Sequence, residues 1–366
     1  MNDTSTANRT YQASFRYFLG PLVPLLEDES VSEIMVSGPD AVFVERGGLI
    51  EKTDASFEDE AALRAAANNI AQFVGKTISE ENPILDGRLD DGSRVCIVLH
   101  PLSAHGTSIN IRRFSNDARE PEFLVDVGSM TAEALEFTLL AVKAHTNLVV
   151  SGGTGSGKTT MLNILATAID ERERILIIED TRELQLPKPH VVQMEARAAD
   201  SHGRGRITVR DLFIASLRMR PDRIIVGEVR GGEALDLVQA MTSGHRGSLA
   251  TLHADTPSQA CGRLETMSLL ADIGLPLTAL RRQVALALDL VLQTSRLSNG
   301  RRLVTHISEI ELDEDKDTYV VHDIFNLDTS LETPTLRWTG KRPRLADEIG
   351  WKGLSGDVRL TKDMFA

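Results

Sequence analysis

A glycine-rich stretch with a lysine and three threonines, residues 152–160, has the spacing that phosphate binding requires. It reads GGTGSGKTT and satisfies the pattern G-x-x-x-x-G-K-[ST] from Gly152 to Thr159. Backbone amides of such a loop close around phosphate oxygens, and the N-terminus of the next helix adds its dipole. We predict that the nucleotide is bound by Gly153, Thr154, Gly155, Ser156, Gly157, Lys158, Thr159 and Thr160.

The segments on either side supply the context that this motif needs. The apolar segment NLVVS at 147–151 predicts a strand, and TTMLNILATAI at 159–169 predicts a helix. In such a loop the Lys158 ammonium reaches the β- and γ-phosphates of ATP, and the Thr159 hydroxyl ligates Mg²⁺. ATP and Mg²⁺ are therefore the predicted substrate and cofactor.

Two later apolar segments end in carboxylates. ILIIED ends at Glu179 and Asp180, and RIIVGE ends at Glu228. Both would present acids at the carboxyl edge of a parallel sheet, where ligands bind in such folds. One acid can polarise the attacking water while another organises the magnesium shell. The pattern does not assign the two roles, and Glu179 is a candidate magnesium ligand.

Four arginines lie close to the second acidic strand: Arg218, Arg220, Arg223 and Arg230. Some could stabilise a transferring phosphate, but for any single one we favour an interface or salt-bridge role.

The segment GHRGSLATLHA, residues 244–254, places two histidines eight positions apart. A strand from about Gly247 to His253 would put His245 and His253 at opposite ends of one element, roughly 26 Å apart at about 3.3 Å per residue. We therefore expect no shared metal ion. His253 would face the phosphate edge, whereas His245 is interpreted as a satisfied core histidine.

The order of segments predicts two domains. Strand-like and helical segments over residues 1–114 indicate an α+β domain, and the polar segment SNDAREPEF opens a predicted linker over residues 115–130. From residue 131 to 366, alternating helices and apolar strands predict an α/β domain with a mainly parallel sheet, followed by a hairpin with an acidic turn and a tail.

Composition limits the classes of function. The net charge is −13, and residues 1–130 contain 21 acidic and 11 basic side chains, which argues against nucleic acid as a direct partner. Only two cysteines occur, which fits a reducing compartment. The apolar segment FLGPLVPLL contains two prolines and lacks a small-residue cleavage site, and no apolar run reaches about 18 residues. We expect a cytoplasmic protein.

Four segments together resemble a known superfamily. SGGTGSGKTT, IEDTRELQL, LRMRPDRIIVGEVRG and GHRGSLATLHADTP are similar to the Walker A, Asp-box, Walker B and His-box segments of the type II/IV secretion traffic ATPases. RLETM, VTHISEI and LRWTGKRPRL further resemble the CpaF/TadA branch, the ATPases of tight-adherence (Flp) pilus systems. Two departures are Ile214-Ala215-Ser216, where Arg-Asn-Ala is expected, and Arg246, where an acid is expected.

The resemblance implies a homohexamer peripherally associated with the inner membrane through pilus or secretion platform proteins. A PAS-like N-terminal domain and a RecA-like P-loop domain would enclose ATP, with N-terminal arginines completing the site. The matching positions are Arg94, Arg112 and Arg113. It also implies that Glu228 is the catalytic carboxylate, Glu183 an acid near magnesium or water, and His253 a relay to the γ-phosphate, acting beside Lys158.

The function expected from the resemblance is an ATP-hydrolysing motor that powers assembly, with retraction left open, of a tight-adherence pilus. The nearest alternative is a TrbB-like ATPase of conjugation or type IV secretion, which shares every catalytic motif. A nucleic-acid motor and a nucleotide-binding regulator without turnover are alternatives of other classes. The acidic N-terminal third disfavours the former, and the intact Lys158, Thr159 and Glu228 disfavour the latter.

Overall fold

The computed structural model describes residues 19–113, 119–199, 203–331 and 333–365. The chain divides into two compact units, residues 1–116 and 117–366.

The first unit contains an antiparallel sheet of six strands in the order β3-β2-β1-β6-β5-β4. Its strands are β1 (Val31–Ser37), β2 (Val42–Arg46), β3 (Leu49–Lys52), β4 (Ile84–Arg88), β5 (Arg94–Val98) and β6 (Ser108–Arg112). The helices are α1 (Val23–Glu27), which follows a short 3₁₀ turn at Gly20–Leu22, and α2 (Glu60–Phe73). The expected α+β architecture is confirmed.

Helix α2 covers this sheet because its apolar residues recur at helical spacing. Leu63, Ala66 and Ile70 are fully buried in the core that the strands line. The Asp59 side chain accepts a hydrogen bond from the Ala62 amide at 2.8 Å and so caps the first turn.

The second unit contains a mixed sheet of nine strands in the order β15-β14-β13-β12-β7-β11-β10-β8-β9. Strands β12, β7, β11, β10, β8 and β9 pair in parallel, and β13, β14 and β15 add antiparallel. Their bounds are β7 (Leu148–Gly152), β8 (Ile175–Glu179), β9 (Val191–Glu195), β10 (Arg223–Val226), β11 (Leu249–Leu252), β12 (Leu290–Arg296), β13 (Arg302–Asp313), β14 (Thr318–Asp328) and β15 (Thr335–Trp338). The parallel part and the hairpin β13–β14 are confirmed, whereas β15 was not predicted.

Helices cover both faces of this sheet, so the central strands are buried on both sides. In β7, Leu148 and Val150 pack into the core on one face, and Val149 packs into the core on the other. The helices are α3 (Phe123–Asp126), α4 (Ala132–Lys143), α5 (Lys158–Ala166), α6 (Val209–Ser216), α7 (Glu233–Thr242), α8 (Pro257–Leu269), α9 (Leu277–Ala287) and α10 (Lys362–Phe365), with 3₁₀ turns at Arg344–Asp347 and Ser355–Asp357.

Part of the stretch that we expected to be a linker, residues 115–130, belongs to the second unit. Leu124 and Met130 are buried in the core beside α4, because the short helix α3 turns the apolar side chains inward. The segment after β15 also packs on α4: the Glu136 carboxylate accepts hydrogen bonds from the backbone of 359–361 and from the Thr361 hydroxyl at 2.6 Å. Within the described residues, no helix has the length and apolar character needed to cross a membrane.

Candidate active site

The loop between β7 and α5 has the backbone shape of a phosphate cradle. Gly155 and Gly157 have φ values of +69° and +94°, which glycine adopts without the steric cost that other residues meet. Helix α5 begins at Lys158, directly after Gly157. The amides of the loop and of the first helical turn are therefore gathered at one helix N-terminus, which is the arrangement that binds phosphate.

Gly152 lets this loop lie against strand β12. A Cβ at this position would lie 2.5 Å from Ser156 Oγ and from the Thr294 carbonyl oxygen, which no side chain tolerates. The Thr294 hydroxyl donates to the Ser151 carbonyl at 3.0 Å and lies 2.9 Å from Ser156 Oγ. Thr294, which is distant in sequence, thus holds the phosphate loop against strand β12.

The Lys158 side chain is held inside the loop, and the residue is only 7% exposed. Its ammonium donates to the carbonyls of Gly152 at 3.0 Å and Gly153 at 2.9 Å. Its Nζ also lies 3.4 Å from His253 Nδ1. The cation is therefore placed at the centre of the cradle, where it suits a triphosphate.

Glu228 lies just beyond the end of β10 and beside His253. Its Oε2 accepts a hydrogen bond from Arg230 Nη2 at 2.6 Å. Its Oε1 is buried and lies 2.8 Å from His253 Nε2, at an angle unsuited to a hydrogen bond. Lys158, His253 and Glu228 are thereby brought together by three different segments of the chain.

The charges around Glu228 determine its protonation. Burial raises the pKa of this carboxyl, but the hydrogen bond and charge of Arg230, with His253 and Lys158, outweigh burial and hold it below its usual value of 4.5. Burial and the Lys158 charge lower the pKa of His253 below 6.5. At neutral pH, Glu228 is a carboxylate beside a neutral imidazole.

The Glu179 carboxylate, at the end of β8, is directed toward the loop that follows β8 in sequence. Its Oε1 accepts hydrogen bonds from the amides of Glu183 at 2.8 Å and Leu184 at 2.9 Å. Gly227 permits this position, since a Cβ there would lie 2.8 Å from Glu179 Cγ. Burial raises the pKa of Glu179 to about 7 despite the two amides. These contacts give Glu179 a loop-holding role, and magnesium ligation by Glu179 stays a prediction.

Glu183 is half-buried in the loop that Glu179 holds. The hydrogen bond and charge of Glu228, with the charges of Asp180 and Glu183, raise the pKa of Arg230, whose Nη1 lies 3.5 Å from Asp180 Oδ2. Arg230 therefore connects the acids after β8 with the acid after β10. The expected place of Glu183 near magnesium or water stays a prediction.

The structure adds residues that the sequence analysis missed. Arg302, at the start of β13, donates from Nε to the Gly155 carbonyl at 2.9 Å. Arg296, at the end of β12, lies beside the same glycine: a Cβ built on Gly155 would be 3.1 Å from Arg296 Nη1. Thr294 belongs to this set as well. The sequence signal for the two arginines is the arginine-rich turn RLSNGRR, which no motif connects with a phosphate loop, and Thr294 lies outside it.

The two histidines lie at opposite ends of strand β11, as expected, with His245 before it and His253 directly after it. We expected His245 to have its hydrogen bonds satisfied in the core. Its Nδ1 is instead buried, and no described residue offers it a hydrogen bond. Arg246, which stands where an acid was expected, is paired with Asp289 at 2.9 Å.

The predicted arginines of the first unit occupy two environments. Arg94 on β5 and Arg112 on β6 are directly opposite each other, and Arg88 on β4, which we had not singled out, is opposite Arg94. Arg113 instead donates from Nη1 to the carbonyls of Asp28 and Val31, the latter at 3.2 Å. The arginine row of this unit thus consists of Arg88, Arg94 and Arg112. Arg113 instead stabilises the backbone at the start of β1.

Comparison with families of known proteins matches residues 18–323 to the type II/IV secretion system protein family. A Mycobacterium tuberculosis protein whose name assigns it to conjugal transfer is 36% identical over 295 residues, which cover 79% of this chain and 83% of that protein. The type IV secretion system protein VirB11 of Brucella suis is 34% identical over 330 residues, covering 82% and 91% of the two chains.

Among solved structures, the ATPase DotB of Legionella pneumophila has a similar fold. Its TM-score is 0.57 at 19% sequence identity, with 82% of each chain covered. The family match spans most of the chain and includes the phosphate loop, Glu228 and His253. This chain therefore belongs to the type II/IV secretion system protein family and is a P-loop ATPase.

Proposed function

We propose that this chain is the homohexameric, ATP-driven motor of a tight-adherence, type IV-like pilus, acting at the cytoplasmic face of the inner membrane. The meeting of Lys158, His253 and Glu228 at the phosphate loop carries the proposal, because it joins a phosphate-binding cation to an ionised carboxylate. The segments RLETM, VTHISEI and LRWTGKRPRL support the pilus assignment. Pilus or secretion platform proteins of the membrane would be its partners.

ATP would bind to the phosphate loop in the conformation that the loop has in this structure. The amides around Gly155 and Gly157 and the ammonium of Lys158 would hold the β- and γ-phosphates. The Thr159 hydroxyl, in the first turn of α5, would hold Mg²⁺, which supplies neutralising charge to the phosphates when bound.

For hydrolysis, Glu228 is the group suited to orient water and accept its proton. The Arg230 charge keeps the carboxylate ionised, so it is a base throughout the neutral range. His253 lies between this base and Lys158, and we assign it the task of transmitting the state of the γ-phosphate to the segment after β11.

The arginine row of the first unit would complete the site within a hexamer. Arg94 and Arg112 lie opposite each other on β5 and β6, so both would reach the same anion. Arg113 would contribute less, since its guanidinium contacts two backbone carbonyls of its own unit.

A second function is favoured by the names of the relatives. The Mycobacterium tuberculosis relative is named for conjugal transfer and the Brucella suis relative for type IV secretion. The same motor would then serve a conjugation or secretion pore. Deleting the gene in its own host tests the choice: loss of surface pili supports the pilus, and loss of DNA or effector transfer with pili intact supports the alternative.

The first biochemical test is steady-state ATP hydrolysis with Mg²⁺ over a protein concentration series, with mass measured in parallel. Specific activity that rises as a hexamer forms supports the motor. Equal turnover by a monomer would overturn the assembly model. Stimulation of hydrolysis by single-stranded DNA would instead favour a nucleic-acid motor, which the acidic N-terminal third disfavours.

Mixing two inactive variants tests whether the arginines act between subunits. Arg112→Ala and Glu228→Gln proteins are each expected to have turnover about 100-fold below the unmodified protein. In mixed hexamers, an intact Arg112 from one subunit would face an intact Glu228 of another, so mixing should restore activity. No recovery on mixing would place both groups in the same subunit's site.

A further inference from the structure

Gln293 lies in β12, directly beside the strand that leads into the phosphate loop. Its parallel register partner on β7 is Ser151, the residue before Gly152. The glutamine is 3% exposed, so its amide must find partners inside the protein.

Both ends of the Gln293 amide are used, and each end contacts a different part of the site. Its Oε1 accepts a hydrogen bond from Ser151 Oγ. Its Nε2 donates to the Ala254 carbonyl at 3.0 Å. Ala254 directly follows His253, and β11 and β12 lie on opposite sides of β7. One side chain therefore connects the strand of the phosphate loop with the backbone that carries His253.

A β-bulge occurs at this point of the sheet. Gln293 is opposite His306 on β13, but its neighbour Thr294 is opposite Val304, so Thr305 is an extra residue. Bulges redirect side chains and are frequent beside active sites. The Thr305 hydroxyl donates to the Gln293 carbonyl at 3.4 Å and so contributes to the local backbone position.

Two consecutive residues of β12 thereby hold the two halves of the site. Thr294 contacts Ser156 Oγ and the Ser151 carbonyl and fixes the phosphate loop. Gln293 fixes the segment that follows β11. An apolar side chain of equal volume at position 293 would fill the same space but could form neither hydrogen bond, so packing alone does not require an amide there.

We propose that Gln293 is a positioning residue for ATP hydrolysis, which holds His253 in place relative to the phosphate loop through the Ala254 carbonyl. The inference rests on the proposed role of His253. The hydrogen bonds of the Gln293 amide go to Ser151, Ala254 and Thr294, so we expect its effect on turnover to pass through the backbone at Ala254.

The test is a double-variant cycle of Gln293→Met and His253→Ala, with Gln239→Met as the matched control on the exposed face of α7. Gln293→Met is expected to lower kcat about 10- to 100-fold, since misplacement of a reacting group by about 1 Å has that effect. The KM for ATP and the Kd for a fluorescent ADP analogue should stay within about threefold, because the phosphate loop keeps Thr294. The combined variant should be no slower than His253→Ala alone.

A multiplicative loss in the combined variant, or unchanged kcat in Gln293→Met, would overturn the role of Gln293 and leave that of His253 intact. Full turnover by His253→Ala would overturn both. Should Gln293→Met not fold, Ser151→Ala removes the hydroxyl at the other end of the link with a minimal change in volume. A lower kcat with unchanged ADP binding supports the proposal, and a kcat equal to that of the unmodified protein overturns it.

Discussion

His253 lies between Glu228 and Lys158, with Nε2 2.8 Å from Glu228 Oε1 and Nδ1 3.4 Å from Lys158 Nζ. An ammonium group can only donate, so Nδ1 must be the acceptor, and the proton of the neutral ring is on Nε2. The lowered pKa of His253 agrees with a neutral ring. The protonated nitrogen is therefore the one beside the carboxylate, although the angle does not suit a hydrogen bond, and the lone pair faces the lysine that would hold the γ-phosphate.

Glu228→Gln is expected to retain ATP binding and to lose hydrolysis. The amide keeps the shape of the carboxylate but cannot accept a proton from water, which reduces kcat at least about 100-fold. Single-turnover hydrolysis and binding of a fluorescent ATP analogue measure the two effects separately. Unchanged turnover would move the catalytic role to Glu179 or Glu183.

Arg230→Ala should move the acid limb of the kcat profile to higher pH. Burial raises the pKa of Glu228, and the Arg230 hydrogen bond and charge are the largest of the influences that lower it. Without Arg230 the pKa of Glu228 rises, so the base is protonated and lost at a higher pH. The profile is measured between about pH 4 and pH 8, a range that includes the ordinary carboxyl and imidazole pKa values of about 4.3 and 6.5.

Arg218→Ala is the control for this experiment, because Arg218 is exposed and lies in the same region of the sequence. Its profile should match that of the unmodified protein. An acid limb that stays in place in Arg230→Ala would show that Glu228 is not the group whose titration limits turnover.

The phosphate loop and the strand-end acids could be predicted because their signals are local. The glycine spacing of residues 152–159 fixes the loop, and parallel strands place their ends at one edge, which brings Glu228 toward Lys158. The same logic could not orient Glu179. An apolar strand that ends in an acid does not reveal whether the carboxylate faces the ligand or the amides of its own next turn.

Contacts between distant segments could not be predicted. Gln293 and Thr294 reach the site only because β12 pairs with β7, 142 residues apart for Gln293 and Ser151. The strand order was not accessible from periodicity, which gives the elements but not their neighbours. The tail held by Glu136 was missed for a related reason, since it is fixed by polar contacts rather than by an apolar pattern.

Glu179→Gln should make the stability of the protein less dependent on pH. The pKa of Glu179 is raised from 4.5 to about 7, so its favourable contribution is complete below pH 4.5 and is lost as the pH rises through 7. That difference corresponds to on the order of 3 kcal/mol. Urea unfolding with EDTA, without nucleotide, measures the free energy of unfolding at several pH values.

Glutamine has no ionisable proton and still accepts from the Glu183 and Leu184 amides, so the Glu179→Gln variant should lose less stability between acid and mildly alkaline pH. An identical pH dependence in both proteins would mean that Glu179 titrates normally in the folded state.

Gly152→Ala should disturb the phosphate loop. The new Cβ would lie 2.5 Å from Ser156 Oγ, so the loop must move away from β12. Overpacking of this kind costs about 1–3 kcal/mol, and nucleotide affinity should fall with it. Gly262→Ala is the matched control, because a Cβ there meets nothing within 4 Å and alanine favours the helix α8. Equal ADP affinity in both variants would contradict the tight contact.

Arg223→Met should be the most destabilising change proposed. The Arg223 side chain is fully buried, lies 3.2 Å from Glu173 Oε2 through Nε, and donates to the carbonyls of Val142 and Gly247. Burial lowers its pKa to about 10, with the Glu173 charge opposing this shift, so the guanidinium remains charged at neutral pH. Its removal takes away the cation paired with Glu173 and leaves the two carbonyls without their donor.

Loss of one partner of a buried ion pair costs about 3–5 kcal/mol, which chemical unfolding of Arg223→Met should reveal. Arg220→Met is the control: Arg220 also forms an ion pair, with Asp222 at 3.5 Å, but its side chain is 82% exposed. Because solvent screens that pair, its loss should cost less than about 1 kcal/mol. Equal stability of the two variants would mean that the buried pair contributes no more than the exposed one.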